Sequence, residues 1–564
     1  MLSETKLSLL QQLVQSATKE EIIWTNGYLS GYLDKTTIGV SNSNVREVAA
    51  IAVKPLIIYG TETGNSKKIA SQLLATFKKN KIQAKAIDVF QFDATILEKE
   101  NLVLFVMSTQ GEGEFPQNAV PFYNYLKETS ASLNNVTYAI LALGDSSYPL
   151  FCNAGILLEE VLIDKGAKQL LPLTKADVDF AETVKIWETN LLNEFQNHGK
   201  TTIPLKAVAP TIAKKNYKGT ISHKVILNDR ESNKETYHIE ITSEDKIIYE
   251  PGDALGILPK NSEDDIDFIL NYFKTDNNQQ ITIKDKTLSS HEWLSNYNIK
   301  GLSKKIVDQI ANLFETTISA EKADLIDVLK DNEKPQSLTL EHLVTVLLPI
   351  APRLYSISSS PEAHEGQVHL TINLNKFKIN DVQKTGLASQ FLADFPLNTT
   401  LDFYIHKNQN FRLPSVETDV IMIGPGTGIA PFRSFIAHRD AIGAEGRNWL
   451  FFGEQHFVLD FYYQTEIQEW ITTGVLTKLD TAFSRDQERK IYVQDRILEK
   501  AKEFNSWIEN GASIYICGQK NPMSQDVEQA ILKVISSERN ISIEAAKQVL
   551  EALENQGKYQ KDVY

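Results

Sequence analysis

The sequence predicts a multidomain α/β protein, and three observations carry that prediction. The chain has 564 residues, more than one hydrophobic core serves, so three or four domains are expected. In the first and last thirds, short apolar strands run into loops rich in glycine and hydroxyls and then into helices. That order builds parallel sheets with ligand crevices at the strand ends. Between those regions the strands alternate polar and apolar residues instead, which marks a different kind of domain.

Composition narrows the classes. Hydrophobic residues make up 42% and charged residues 23%, as in an ordinary globular protein. No apolar run reaches the roughly twenty residues that cross a bilayer, and Met1-Leu2-Ser3-Glu4 does not begin a signal peptide. A cytoplasmic protein with no membrane association is expected. Cys152 and Cys517 are the only cysteines, too few for a disulfide framework, a paired-cysteine zinc site or a cysteine-ligated iron–sulfur cluster. No metal is expected on this chain. The net charge of −14 argues against nucleic acid as a partner.

Residues 1–53 read as two short helices and a linker. Leucines and Val14 between Leu7 and Ala17 share one helical face, and Thr18 with Glu21 forms a capping box for the second helix. Two such helices bury little alone. They pack on other domains of this chain or on another subunit, and the pattern leaves both open. Asp34 to Val53 is polar and small, as linkers are.

Residues 54–200 form the first α/β domain. The strand Pro55–Tyr59 runs into Gly60-Thr61-Glu62-Thr63-Gly64-Asn65-Ser66 and a helix, where amides, hydroxyls and the helix dipole converge on a phosphate. No lysine follows in the P-loop position, which disfavours a nucleoside triphosphate. Leu102–Met107 runs into Ser108-Thr109-Gln110-Gly111, and Tyr138–Leu143 into Gly144–Cys152. The three loops meet in one crevice. In order and content they resemble the flavodoxin-like FMN domain. The resemblance implies that Thr61, Glu62, Thr63, Gly64, Asn65 and Ser66 hold the FMN phosphate. It also implies that Ser108, Thr109, Gln110 and Gly111, with Leu143, Gly144, Asp145, Ser146, Ser147, Tyr148, Pro149, Leu150, Phe151 and Cys152, surround the isoalloxazine. Cys152 reads as a packing residue.

A linker follows at 201–218, with Pro210 and several lysines. From 219 to 415 the alternating strands and Tyr249-Glu250-Pro251-Gly252-Asp253 resemble the FAD-binding β-barrel of ferredoxin-reductase-like proteins. A helical insertion spans about 262–348; its His291, Trp293 and His342 read as packing residues. The stretch Arg353-Leu354-Tyr355-Ser356-Ile357-Ser358-Ser359-Ser360 puts a permanent cation, a flat ring and hydroxyls together, which suits a pyrophosphate joined to a planar ring. Thr385-Gly386-Leu387-Ala388-Ser389 enters a helix and again offers amides. By resemblance Arg353, Leu354, Tyr355, Ser356, Thr371, Ile372, Asn373, Gly386, Leu387, Ala388 and Ser389 hold FAD. Phe377 stands where close relatives have tyrosine, so a hydrogen bond there is lost or unneeded.

Residues 416–564 form the last domain. A strand, Gly424-Pro425-Gly426-Thr427-Gly428 and a helix would cradle a dinucleotide pyrophosphate, without G-x-G-x-x-G spacing. They resemble the ferredoxin-reductase-like NADP-binding domain. Ser484, Arg485 and Lys490 put a hydroxyl and two cations where an adenosine 2′-phosphate needs them. The resemblance adds Gly426, Thr427, Ile491, Tyr492, Val493, Gln494 and Asp526 as NADPH contacts. It stacks Tyr564 on the FAD ring, where the nicotinamide must displace it.

Together these three parts resemble the NADPH-dependent diflavin reductases across nearly the whole chain. NADPH gives up two electrons as hydride and iron centres accept one at a time; a flavin does both. Ser356, Cys517 and Asp562, with Tyr564, match the family's set around hydride transfer, where they stabilise developing charge. Within the family, Asn448–Gly453, Phe483–Gln487, Asp526–Ala530 and Asp562–Tyr564 resemble the flavoproteins of bacterial sulfite reductases. The implied partner is a siroheme hemoprotein (beta) subunit, and the N-terminal part, including Gly27–Leu33, implies a homo-oligomer. Glu112, Glu114, Asp145, Asp177 and Asp179 face a basic partner or are solvated loop charges. A soluble, cytochrome-reductase-like enzyme serving another haem or iron–sulfur acceptor remains the alternative.

Overall fold

The computed structural model describes residues 54–61, 64–111, 113–146, 148, 150–197, 215–283, 286–318, 322–379 and 382–564. The helices expected in 1–53 and most of the 201–218 linker lie outside the described residues. Among the described residues no helix is long and apolar enough to cross a membrane.

The first sheet contains β1 (Leu56–Gly60), β2 (Lys85–Asp88), β3 (Leu102–Ser108), β4 (Thr137–Leu143), β5 (Lys168–Gln169) and β6 (Thr174–Ala176). Its order is β2-β1-β3-β4-β5, with β6 also on β4, and every pair is parallel. Val103 to Met107 and Tyr138 to Ala142 are wholly buried, which is why these strands read as unbroken apolar runs. Helices α1 (Asn65–Lys79), α2 (Val120–Glu128), α3 (Asn153–Asp164) and α4 (Ala181–Asn197) complete the layers. The strand order reverses between β1 and β3, so the loops after β1, β3 and β4 open on one crevice.

The second region begins with β7 (Asn216–Ile226), β8 (Thr236–Thr242) and β9 (Ala254–Ile257). Asn216 already pairs with Tyr404, so residues 216–218 belong to the sheet and not to the linker. The reason is Tyr217, which buries its ring against Phe403 at 5.6 Å; lysines on either side concealed a strand residue. The insertion is mainly helical, as α5 (Glu263–Phe273), α6 (Ser290–Asn296), α7 (Lys304–Leu313), α8 (Leu325–Asp331) and α9 (Leu340–Val346). Two small hairpins join them: β10 (Gln280–Ile283) with β11 (Lys286–Ser289), and β12 (Leu302–Ser303) with β13 (Lys322–Ala323). These elements share their own apolar core. Trp293 is buried there with its indole N–H on Ile281 O, 2.9 Å. His342 instead caps α9 together with Thr339, and His291 pairs with Glu263 at 2.8 Å.

The chain then returns through β14 (Arg353–Ser356), β15 (Val368–Asn373), the hairpin β16 (Lys376–Ile379) and β17 (Val382–Thr385), helix α10 (Leu387–Asp394) and β18 (Thr400–His406). The antiparallel sheet runs β14-β9-β18-β7-β8-β15, and a bridge between Ile357 and Leu370 links its two ends.

The last sheet is parallel, with β19 (Val420–Ile423), β20 (Asn448–Glu454), β21 (Lys478–Phe483), β22 (Ser513–Gly518) and β23 (Tyr559–Val563) in the order β21-β20-β19-β22-β23. Helix α11 (Ile429–Ala441) follows the glycine turn. From it the buried Arg433 reaches the preceding region: Nη1 donates to Ser358 O (2.8 Å) and His369 Nδ1 (3.1 Å), while Nε pairs with Glu466 (2.7 Å).

His238, Glu240 and His369 cluster beside this guanidinium. Arginine stays protonated, so its bond to His369 Nδ1 places the histidine proton on Nε2 and leaves that nitrogen no lone pair for a metal. Burial first, and Arg433 second, push His238 down from 6.5 to about 3 and His369 to about 2. The unfolded chain therefore takes up protons that the folded chain refuses. Stability is expected to be full above pH 6.5 and to fall below it by about 1.4 kcal/mol per pH unit per histidine. The loss should level off near pH 3 for His238 and pH 2 for His369. Urea midpoints across this range check it; His238→Gln and His369→Gln flatten the slope.

Candidate functional site

At the crevice of the first sheet, Glu62, Thr63, Ser147 and Pro149 lie outside the described residues, as does Glu112. Thr61 Oγ1 accepts the Gly64 N–H at 2.9 Å, tying the loop into a compact turn. Gly64 has a left-handed φ of 86°, and nothing described stands within 4 Å of the place of a Cβ. The Ser66 hydroxyl is buried with no hydrogen-bond partner among the described residues, and so is Gln110 Oε1. Buried polar atoms of this kind fit a bound polar group such as a phosphate or a flavin edge. Asn65 opens α1, where first-turn amides lack helical partners.

The other two loops are tied to the sheet. Thr109 N–H donates to Leu143 O at 2.8 Å, Ala154 N–H donates to Thr109 Oγ1 at 3.3 Å, and Ser108 Oγ donates to Gly60 O at 3.2 Å. Gly111 has φ 54°. A Cβ on Gly144 would meet Cys152 N at 2.7 Å, so only glycine closes this loop. Ser146 gives its N–H to Asp177 Oδ1 (2.9 Å) and its hydroxyl to Asp177 Oδ2, so both of its donors are engaged and it can only accept from a ligand. Tyr148 and Phe151 are half-buried and Leu150 is exposed. The buried Cys152 thiol lies 3.2 Å from Ala142 O, and desolvation lifts it to about 12, which makes it a packing group.

In the middle region Arg353 is exposed and has no carboxylate partner among the described residues; its Nη1 donates to Pro352 O at 3.3 Å. That fits a cation awaiting a phosphate. Leu354, Tyr355 and Ser356 are half-buried. Gly386 precedes α10, whose first amides at Leu387, Ala388 and Ser389 have no helical partners. The Ser389 hydroxyl is already engaged, donating to Gly386 O (3.0 Å) and accepting from Asn375 N (3.1 Å). Thr371 and Ile372 turn their side chains inward, Thr371 to the Tyr463 hydroxyl at 2.5 Å and Ile372 to the core. Of that trio only Asn373 is exposed. Phe377 is 37% exposed on the β16–β17 hairpin.

A cavity of about 660 Å³ joins the last two regions. It brings together Gly426, Thr427, Ser484, Arg485, Lys490, Tyr492, Val493, Gln494, Asp526, Asn373 and Tyr564; Ile491 does not line it. Gly428 lets the turn pack on β22, since its Cβ would sit 2.2 Å from Cys517 O. Arg485 and Lys490 are exposed and enter no ion pair among the described residues. Lys234 and Glu454, paired at 2.6 Å, and Tyr462 also line the cavity. No motif marks them, and Lys234 sits in a plain turn between β7 and β8.

Ser356, Cys517 and Asp562 meet beside this cavity. The parallel register of β22 and β23 sets Cys517 next to Asp562. Ser356 Oγ donates to Asp562 Oδ2 at 2.8 Å, and Cys517 Sγ is 4.0 Å from the same oxygen. Desolvation raises the Asp562 carboxyl, partly offset by Ser356 and His406. It also holds the Cys517 thiol well above its ordinary value, so this sulfur is a neutral donor and not a nucleophile. Tyr564 hydrogen-bonds Thr427 Oγ1 through its hydroxyl at 2.7 Å, and the residue as a whole is 64% exposed.

Comparison with known proteins covers the same three parts. Residues 57–187 match the flavodoxin family, 209–300 and 297–391 the FAD binding domain, and 422–529 the oxidoreductase NAD-binding domain. The chain is 36% identical to the sulfite reductase (NADPH) flavoprotein alpha-component of Bacillus subtilis, covering 100% of this chain and 98% of that protein. It is 35% identical to the protein so named in Vibrio cholerae serotype O1 (100% and 96%) and 34% to that of Escherichia coli O157:H7 (100% and 98%).

Proposed function

The chain belongs to the family of sulfite reductase (NADPH) flavoprotein alpha-components, and on that premise we propose that it feeds electrons to a siroheme and iron–sulfur hemoprotein (beta) subunit that reduces sulfite to sulfide in the cytoplasm. It is an NADPH-dependent oxidoreductase with FMN, FAD and NADPH as its cofactors. When bound, FAD accepts the hydride of NADPH and FMN passes the electrons on singly. The observation that carries the reading is identity of 34–36% over the whole chain, with family matches in all three parts.

The residues divide the labour. Arg485 and Lys490 hold the 2′-phosphate end of the nucleotide, and the Gly426–Thr427 turn its pyrophosphate. Tyr564 covers the reacting face until the nicotinamide arrives; its ring swings out at the cost of one hydroxyl contact with Thr427. Ser356, Asp562 and the neutral Cys517 thiol offer the polar surroundings in which charge moves with the hydride. Residues 1–53 join copies of the chain, a reading supported by the likeness of Gly27–Leu33 to the same family.

The flavin-loaded protein is expected to bleach under NADPH and not under NADH. Added siroheme subunit should then turn sulfite into sulfide. Active diaphorase turnover without sulfide would leave a soluble diflavin reductase with another haem or iron–sulfur acceptor.

A further inference from the structure

The segment His406–Asn410 leaves the end of β18 and faces two ways. Towards the FMN domain, His406 Nδ1 lies 3.3 Å from Asp145 Oδ2, and Gln409 Nε2 donates to Asp179 Oδ1 at 3.1 Å. Asn410 Nδ2 donates to Asn65 Oδ1 at 2.6 Å, and Lys68 Nζ donates to Asn410 Oδ1 at 3.5 Å. Three of five residues thus touch the flavodoxin-like domain, two of them at loops that frame its crevice. In the opposite direction, Asn408 Nδ2 donates to Asp562 Oδ1 at 3.3 Å.

Asn408 is fixed by two further bonds. Its N–H donates to Asp253 Oδ1 at 3.0 Å, and Arg412 pairs with that same carboxylate. Its Oδ1 accepts the Asn410 N–H at 3.3 Å. A shift of Asn410 is therefore transmitted to the side chain that holds Asp562. The two carboxylate oxygens are divided, Oδ2 to Ser356 and Oδ1 to Asn408. We propose that Asn408 is a positioning residue for Asp562, and that docking of the FMN domain on residues 406–410 sets how Asp562 is held at the hydride step. The inference rests on the reading of Asp562 as part of that step.

The groups facing Asp562 are Ser356 from β14, Cys517 from β22, His406 at the end of β18, Asn408 just after it, and Tyr564 beyond β23. Removing the Asn408 amide leaves one oxygen without a donor and disfavours the ionised carboxylate. Replacing it by aspartate sets a second carboxylate beside the first and disfavours it more.

The test uses the full chain with both flavins, mixed rapidly with NADPH. Asn408→Ala should slow the first bleaching phase about tenfold, the size of one lost bond to a charged group. It should also move the acidic limb of that phase's pH profile upward, and Asn408→Asp should move it further, with NADPH affinity unchanged. Gln409→Ala with Asn410→Ala leaves every contact of Asp562 intact, yet should slow the same phase about threefold and more strongly the later phase of transfer to FMN. A wild-type rate and pH limb in Asn408→Ala would overturn the positioning role. An effect of Gln409→Ala/Asn410→Ala confined to the later phase would overturn the coupling. Asp562→Asn is the control: if it bleaches at the wild-type rate, the underlying reading of Asp562 fails and the inference falls with it.

Discussion

Replacing Asp562 by alanine is expected to slow reduction of bound FAD by NADPH by about a hundredfold or more, the effect of removing one preorganised polar group from a reacting centre. The carboxylate is held by Ser356 at 2.8 Å and Asn408 at 3.3 Å, and the Cys517 sulfur stands 4.0 Å away. None of the cations that line the nucleotide cavity contacts it, so NADPH affinity should hardly change; the loss belongs to the rate. Ser356 and Asp562 form one hydrogen-bonded unit. Ser356→Ala/Asp562→Ala should therefore cost little more than Asp562→Ala alone. Stopped-flow bleaching against NADPH concentration separates rate from affinity. A weaker Kd with an unchanged rate would remove Asp562 from the hydride step.

The second large effect concerns the choice of nucleotide. Arg485→Ala with Lys490→Ala is expected to raise the KM for NADPH by about a hundredfold to ten-thousandfold, from two lost charge-assisted contacts of about 1.5–3 kcal/mol each. The value for NADH should stay near that of the unaltered protein, since NADH has no 2′-phosphate to lose. Both side chains are exposed and without an ion-pair partner among the described residues, so their removal disturbs no fold. The kcat should hold within about twofold, because binding is lost equally from ground and transition states. A fall in kcat at unchanged KM would refute this assignment.

The parts of this molecule that were legible in the sequence are those where chemistry is local. Each crevice loop follows a strand that is buried on both faces, so the apolar run and the glycine–hydroxyl run stand side by side in the text. The stretch from Arg353 to Ser360 and the turn from Gly424 to Gly428 are likewise contiguous. What sequence did not reveal is assembled from distant segments. Lys234 meets Glu454 across the cavity, and His369 meets Arg433 across a domain junction. The Asn408–Asp562 contact joins residues 154 positions apart. No spacing rule connects such positions, because tertiary packing alone brings them together. Side-chain burial was hidden as well: Thr371 and Ile372 sit in the expected strand, yet both are covered, Thr371 by its contact with Tyr463 and Ile372 by the core, and only Asn373 is exposed.

The Arg433 clasp has a thermal consequence. A guanidinium buried between two domains, shared among Ser358, His369 and Glu466, carries a desolvation penalty that shrinks as water is warmed, while apolar burial stops gaining. On heating, this seam strengthens relative to the cores on either side of it. The antiparallel sheet and the last parallel sheet should then melt in a single calorimetric step, without first drifting apart.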